Sequence, residues 1–343
     1  MVAFHTRSVV EIIEERDGLQ RVRLDDDTRA YALTNLIGRL EVGDHAIVNT
    51  TAVDLGLGTG GWHVVHWNLG AHQFTRPGPG HIMKLRYTSL QLDTGAAEER
   101  APLPSSLDGL PIAVCSLHSQ VPCVAVVLKH LVPTCRLTYL MTDSAALPLA
   151  LSDVVVDLRA CGLVDTTVTA GHSFGGDHEA VNTVSGLLVA AGHGADAIVV
   201  GPGPGVVGTG TPFGHSATDV APIVDAVESL GGRAFVAIRY SSADSRERHR
   251  GVSHHMDSVV RLLRSDAPFV SPNASITAEF AQRFPQRRVL TVPTPDVGPL
   301  LSAHGLTVRT MGRDAGTDPG FFATAGAAGA ALAHSLGGRV PGS

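Results

Sequence analysis

The chain is poor in aromatic residues and has neither a long apolar run nor a block of like charge. Aromatics are 5% of its 343 residues, too few for the stacking platforms on which single-stranded nucleic acids lie. Its 26 Lys and Arg are outnumbered by 32 Asp and Glu, and the net charge is −6 with no polybasic stretch. Nucleic acid is therefore not an expected partner. No uncharged apolar run reaches the length of a membrane span. The Ala- and Gly-rich segment 321–336 comes nearest, and it carries His334. The opening Met1-Val2-Ala3-Phe4-His5 soon meets Glu11, Glu14, Glu15 and Arg16, which is not the pattern of a secretory signal. Cys115, Cys123, Cys135 and Cys161 lack CxxC pairing or zinc-like spacing. Buried, reduced thiols in a cytoplasmic protein are the expectation, with no membrane partner.

What the chain has in quantity is apolar residues (44%), 38 glycines, 20 prolines and 17 histidines. This is the composition of a well-buried globular protein with many tight connections. Four short apolar runs, 9–14, 20–24, 30–33 and 45–49, alternate with turn residues such as Asp17-Gly18. They predict a small β-barrel-like domain over 1–75. Gly56-Leu57-Gly58-Thr59-Gly60-Gly61 then precedes an apolar strand over 62–67. Residues 76–110, opening on Arg76-Pro77-Gly78-Pro79-Gly80, read as a linker and connecting segment. From 111 to 336 strands alternate with helices: strands at 111–116, 137–141, 164–170, 197–200, 234–238, 289–292 and 307–311, helices at 121–130, 147–161, 179–191, 218–230, 256–264 and 320–336. Such spacing requires parallel crossovers, hence an α/β fold with a doubly wound, mostly parallel sheet. Residues 337–343 read as a disordered tail.

Ligands of an open parallel sheet sit beyond the carboxyl ends of its strands. Three loops there carry chemistry. Gly171-His172-Ser173-Phe174-Gly175 fits the G-x-S-x-G nucleophile elbow. Ser173 would attack an acyl carbon while Asp244 orients His249, His254 or His255 as general base. Against this, Gly176, Asp177 and His178 delay the helix, and Asp177 serves equally as its cap. Gly203-Pro204-Gly205-Val206-Val207-Gly208 fits the dinucleotide fingerprint. Its next helix starts about ten residues late and its prolines remove amide donors. NAD is therefore not the expected cofactor. A smaller anion could use Gly205, Gly208, Thr209, Gly210 and Thr211, or Gly175 and Gly176.

The strongest signal is Arg246-Glu247-Arg248-His249-Arg250-Gly251-Val252-Ser253-His254-His255. Arg246 and Arg248 suit bidentate recognition of carboxylate or phosphate. His249, His254 and His255 supply acid/base groups. As metal ligands, the adjacent histidines would point apart, so at most one of them is expected to join His249. Asp143, His172 and Asp177 are further candidate ligands for a divalent metal.

Taken together, Asn49-Thr50-Thr51-Ala52-Val53 with the glycine run at 56–61, and segments 80–88, 171–177, 179–182, 203–210 and 246–255, resemble the bacterial domain-of-unknown-function family 3866. The resemblance spans nearly the whole chain and implies a bacterial cytoplasmic protein of this two-part layout. It implies no reaction or substrate.

The residues themselves lead to a small-molecule enzyme, a hydrolase or transferase, acting on an anionic metabolite or nucleotide. The alternatives are a non-catalytic ligand-binding or assembly protein, or a serine hydrolase using Ser173. Gly326 and Gly329, among many alanines, permit close helix packing, either inside the fold or in a homodimer.

Overall fold

The computed structural model describes residues 1–57 and 60–337. Gly58 and Thr59 of the glycine run, and the tail from 338 onward, lie outside the described residues. The chain divides into two compact units, Met1–Gly95 and Ala96–Ser343.

In the first unit β1 (Phe4–Arg16), β2 (Leu19–Leu24), β3 (Arg29–Ala32), β4 (His45–Asn49) and β5 (Trp62–Asn68) close into a barrel in the order β1-β2-β3-β5-β4. Two single-turn helices, α1 (Thr34–Ile37) and α2 (Thr51–Asp54), fill the connections on either side of β4. The first half of β1 pairs with β4 and the second half with β2. Register shifts in its second half mark bulges, which bend a strand, so one strand can close the barrel. Alternate residues turn inward, with Val9, Val22, Leu24, Ala46, Val48 and Val65 almost completely buried. Further along the same unit, β6 (Met83–Lys84) and β7 (Leu92–Asp93) form a short antiparallel ladder.

The second unit is built on eight strands: β8 (Pro111–Val114), β9 (Leu137–Thr142), β10 (Thr166–Ala170), β11 (His178–Ala180), β12 (Ala197–Pro202), β13 (Arg233–Ala237), β16 (Phe269–Ser271) and β17 (Val289–Thr291). Their order is β11-β10-β9-β12-β8-β13-β16-β17, and every pairing is parallel. A two-residue ladder, β14 (Tyr240–Ser241) with β15 (Gly251–Val252), stands apart from the sheet. Helices α3 (Val121–Leu131), α4 (Asp153–Ala160), α9 (Val297–Ala303) and α10 (Pro319–Ser335) share one hydrophobic core with one face of the sheet. Helices α5 (Thr183–Gly192), α6 (Val220–Ser229), α7 (His255–Leu262) and α8 (Ala274–Arg283) share another with the opposite face. With both faces covered, β8, β9 and β12 are buried along their whole lengths. Continuous apolar runs are what a doubly covered parallel sheet requires.

Several expectations are corrected. The helix expected at 179 starts at Thr183, capped by Asn182, whose side chain accepts from the Ser185 amide at 3.0 Å. Residues 178–180 are instead an edge strand. Asp177 caps no helix: it accepts from the Thr167 amide at 2.8 Å and pairs with Arg159 at 2.8 Å. The strand expected at 307–311 has only an isolated bridge between Thr310 and Arg313. Its alternation is real, since Leu306, Val308 and Thr310 are buried, but no neighbouring strand pairs with it. Cys161 is exposed, unlike Cys115, Cys123 and Cys135. Gly326 and Gly329 both serve packing inside this unit. A Cβ on Gly329 would lie 2.3 Å from the Val124 carbonyl oxygen of α3, and one on Gly326 would lie 2.6 Å from the Val297 side chain of α9.

Candidate functional site

Two neighbouring strands send their chains to opposite faces: β12 leads to α6 and β8 to α3. Divergence of this kind opens a crevice at the carboxyl edge of a sheet. Near it, the chain leaving β13 makes an excursion over residues 239–255. The β14–β15 ladder pins its base, pairing Tyr240 with Val252 and Ser241 with Gly251. Gly251 has φ +67, and a Cβ there would lie 2.4 Å from the Glu279 carboxylate. Only glycine suits such a position. The Glu279 carboxylate also accepts from the Val252 amide at 2.7 Å.

Inside the excursion, Asp244 is the hub. Arg246 grips it through two bonds, at 3.0 and 2.8 Å, and Arg313 donates to it at 3.0 Å. Arg313 also donates to Asp318 at 3.0 Å, and Asp318 accepts from Ser241 and Ser242. The hydrogen bond and charge of Arg246 hold the Asp244 carboxyl well below the usual carboxylate range, despite the opposing cost of burial. Asp244 thus serves arginines, and no histidine is among its hydrogen-bond partners. That removes it as the orienting acid of a Ser-His-Asp triad. Ser173 is also unsuited to the nucleophile's part: it is 0% exposed and its hydroxyl donates to the Thr142 carbonyl at 2.8 Å.

The histidines do come together. His249 ends a short 3-10 turn, and its Nδ1 bonds the Ser253 hydroxyl at 2.8 Å. His254 is the αR residue preceding α7, and His255 opens that helix. Ring centroids lie 4.8 Å apart for His249 and His254, 5.1 Å for His249 and His255, and 4.5 Å for His254 and His255. One ligand nitrogen from each falls within 4.8 Å of the others. The expectation that at most one of the adjacent pair could join His249 is therefore corrected, because the backbone turns into a helix between them. His215, from the loop after β12, stacks on His255 with centroids 3.7 Å apart. Burial, reinforced by neighbouring arginines, depresses His249 to about 3 and His255 to about 2. His254 and His215 are lowered as well, chiefly by burial. All four rings are neutral near pH 7.

Arg239, two residues beyond the end of β13, was not among the expected site residues. It is 9% exposed and donates to Nδ1 of His255. Burial, then repulsion from Arg246, lowers its guanidinium to about 10. Arg239 and His249 line one small cavity of about 10 Å³, room for a single water-sized group, with Asp244, Tyr240, Thr310 and Arg313. A larger cavity, of about 400 Å³, is lined by Arg233 and Ala234 at the start of β13. It is therefore at the amino edge of the sheet, away from these groups. The signal for Arg239 in the sequence was its position immediately after an apolar strand.

The remaining candidates do not gather here. Arg248 is exposed to solvent. The amides of Gly175 and Gly176 are spent internally, on the Glu179 carboxylate at 2.7 Å and the Thr169 hydroxyl at 3.1 Å. A protein carboxylate thus occupies the cradle offered to an external anion. Thr209 donates its amide to Gly214 at 2.7 Å, and Thr211 donates to the Thr209 hydroxyl at 3.2 Å. Gly205 and Gly210 are exposed, and the loop folds on itself without a helix N-terminus. Gly208 alone approaches the histidines, since a Cβ there would lie 3.7 Å from His255 Nε2. Asp143 accepts from the His172 amide at 2.9 Å. Asp143, His172 and Asp177 form no metal-ligand group, whereas the histidine triad does, among the described residues.

Fold and site define a two-unit α/β protein with a histidine and arginine cluster at the carboxyl edge of a parallel sheet. The family model described as a protein of unknown function (DUF3866) matches residues 29–329, and the chain belongs to that family. No curated protein matches it. Among the described residues, no helix is long and apolar enough to cross a membrane.

Proposed function

We propose that the second unit is a cytoplasmic small-molecule enzyme, a hydrolase or group transferase, that holds an anionic metabolite or nucleotide on Arg239. One observation carries this reading. Of three guanidinium groups, Arg239, Arg246 and Arg313, only Arg246 and Arg313 bond the carboxylates of Asp244 and Asp318, whose remaining bonds come from serine donors. Arg239 is left with a neutral imidazole as its acceptor. A buried cation with no carboxylate bonded to it is costly; Asp244 offsets its charge only through space, and a carboxylate or phosphate oxygen in the adjoining cavity would supply a bonded partner. His249 also lines that cavity, as a neutral imidazole beside the bound anion.

The test is a thermal-shift series with orthophosphate, pyrophosphate, AMP and small dicarboxylates, followed by mass-spectrometric incubation with metabolite pools. At least one anion raises the Tm of the wild type, and Arg239→Met abolishes the rise. Conversion of a compound lost in His249→Gln establishes the enzyme. Arg239-dependent stabilisation with no conversion supports a binding protein instead. If no anion stabilises the wild type, the reading fails.

A further inference from the structure

We infer that His249, His254 and His255 form a binding site for one divalent transition-metal ion of the zinc class. The three offer nitrogen ligands within 4.8 Å of one another. Ligands about 2.05 Å from a tetrahedral zinc are about 3.3 Å apart, so modest side-chain rotation closes the set. The donors are all neutral imidazoles, which suit zinc, cobalt, nickel or copper rather than magnesium or calcium. Three protein ligands leave a coordination position open, the arrangement of catalytic rather than structural metal sites.

A second observation points the same way. Nε2 of His254 is buried with no hydrogen-bond partner, a state that a polar atom rarely keeps without a ligand or water. The other nitrogens are already set in place. Nδ1 of His249 is bonded to the Ser253 hydroxyl, and a Ser253 oxygen accepting that proton leaves the Nε2 lone pair of His249 for a metal.

His255 adds a competition. Arg239 donates to its Nδ1, so that nitrogen carries a lone pair and the proton sits on Nε2. A metal reaching His255 must displace the Arg239 bond from Nδ1 or the proton from Nε2. Arg239, Arg246 and Arg248 all lie close enough to depress these imidazoles, and the same charges repel a dication. Metal occupancy and the Arg239 charge therefore oppose each other by either route, and removing that charge tightens metal binding. The site stands on ligand geometry and is independent of the anion reading.

Cobalt(II) titration of the purified full chain, stripped of metal and followed by its visible d–d absorption, tests this. The wild type binds one equivalent with the spectrum of a nitrogen-ligated four- or five-coordinate ion. His254→Ala, at a residue only partly buried, weakens binding by at least about a hundredfold while keeping the wild-type circular dichroism. His249→Gln does the same, and Arg239→Met tightens binding by about tenfold or more. Absence of stoichiometric cobalt binding overturns the inference. So does binding that survives in His254→Ala and is lost in His193→Ala, which would move the ion to the stacked His178–His193 pair, 3.6 Å between centroids. Anion-induced thermal shifts play no part in this readout, so either conclusion can fail alone.

Discussion

Arg239 donates to Nδ1 of His255, so a buried guanidinium rests on a neutral ring while the nearby carboxylate of Asp244 is held by two other arginines. The arrangement keeps a positive charge beside His249 and spends the acidic residues on fixing the loop. It also makes Asp244 a structural group.

Asp244→Asn should therefore destabilise the protein strongly. Its side chain is 3% exposed and bridges Arg246 and Arg313. Removing one partner of a buried ionic network costs about 3–5 kcal/mol. Urea denaturation at pH 7 measures this, and a loss below about 1 kcal/mol would show that water or Asp318 takes over the arginines.

Stability should fall between pH 6.5 and 4 because of His118. Its Nδ1 donates to the Pro202 carbonyl at 3.0 Å, and its Nε2 accepts from Ser152 at 2.7 Å. Burial pushes it down to about 4 from 6.5. The unfolded chain takes up this proton first as pH falls, so the contribution is complete above 6.5 and lost toward 4. The shift corresponds to at most about 3 kcal/mol. Denaturation midpoints across that range, compared with His118→Gln, isolate it: the variant should lose part of the acid sensitivity.

Ser173→Ala should leave any turnover within a few-fold of wild type and cost about 1 kcal/mol of stability for the lost bond to Thr142. A fluorophosphonate probe should leave Ser173 unlabelled. Labelling at Ser173 would restore the serine-hydrolase reading.

Gly329→Ala should be among the most damaging single-methyl additions in the chain. The new carbon meets backbone of α3 at 2.3 Å, which no rotamer change relieves. A loss of about 3 kcal/mol is expected for overpacking of this kind, read as a fall in Tm. An unchanged Tm would mean that α10 slides along α3 at little cost.

Much of the frame was legible along the chain. The runs behind β8, β9, β10, β12 and β13 stood out because strands buried on both faces favour apolar and β-branched side chains, the buried threonines of β9 and β10 among them. The barrel strands showed period-two alternation with turn residues between them. What escaped were short elements: β16 has three residues, and α8 and α9 follow caps at Asn273 and Asp296 whose side chains bond the Ile276 and Gly298 amides. Local signals for these existed but were brief. The segment at 307–311 misled for the opposite reason, since burial alternates there without a pairing partner.

The site divides along the same line. Residue types and their clustering in 246–255 marked the place, because three histidines and three arginines in ten residues have no ordinary packing role. Which of them act was decided only in three dimensions. Asp244 and Arg246 neutralise each other, while Arg313 and Asp318 arrive from far along the chain to complete that network. Arg239, at the end of an apolar strand, is left as the cation without a carboxylate. Sequence by itself determined the elements and the composition of the loops, since these depend on local periodicity. The pairing of charges, and hence the chemistry available, depends on distances between segments that no local pattern encodes.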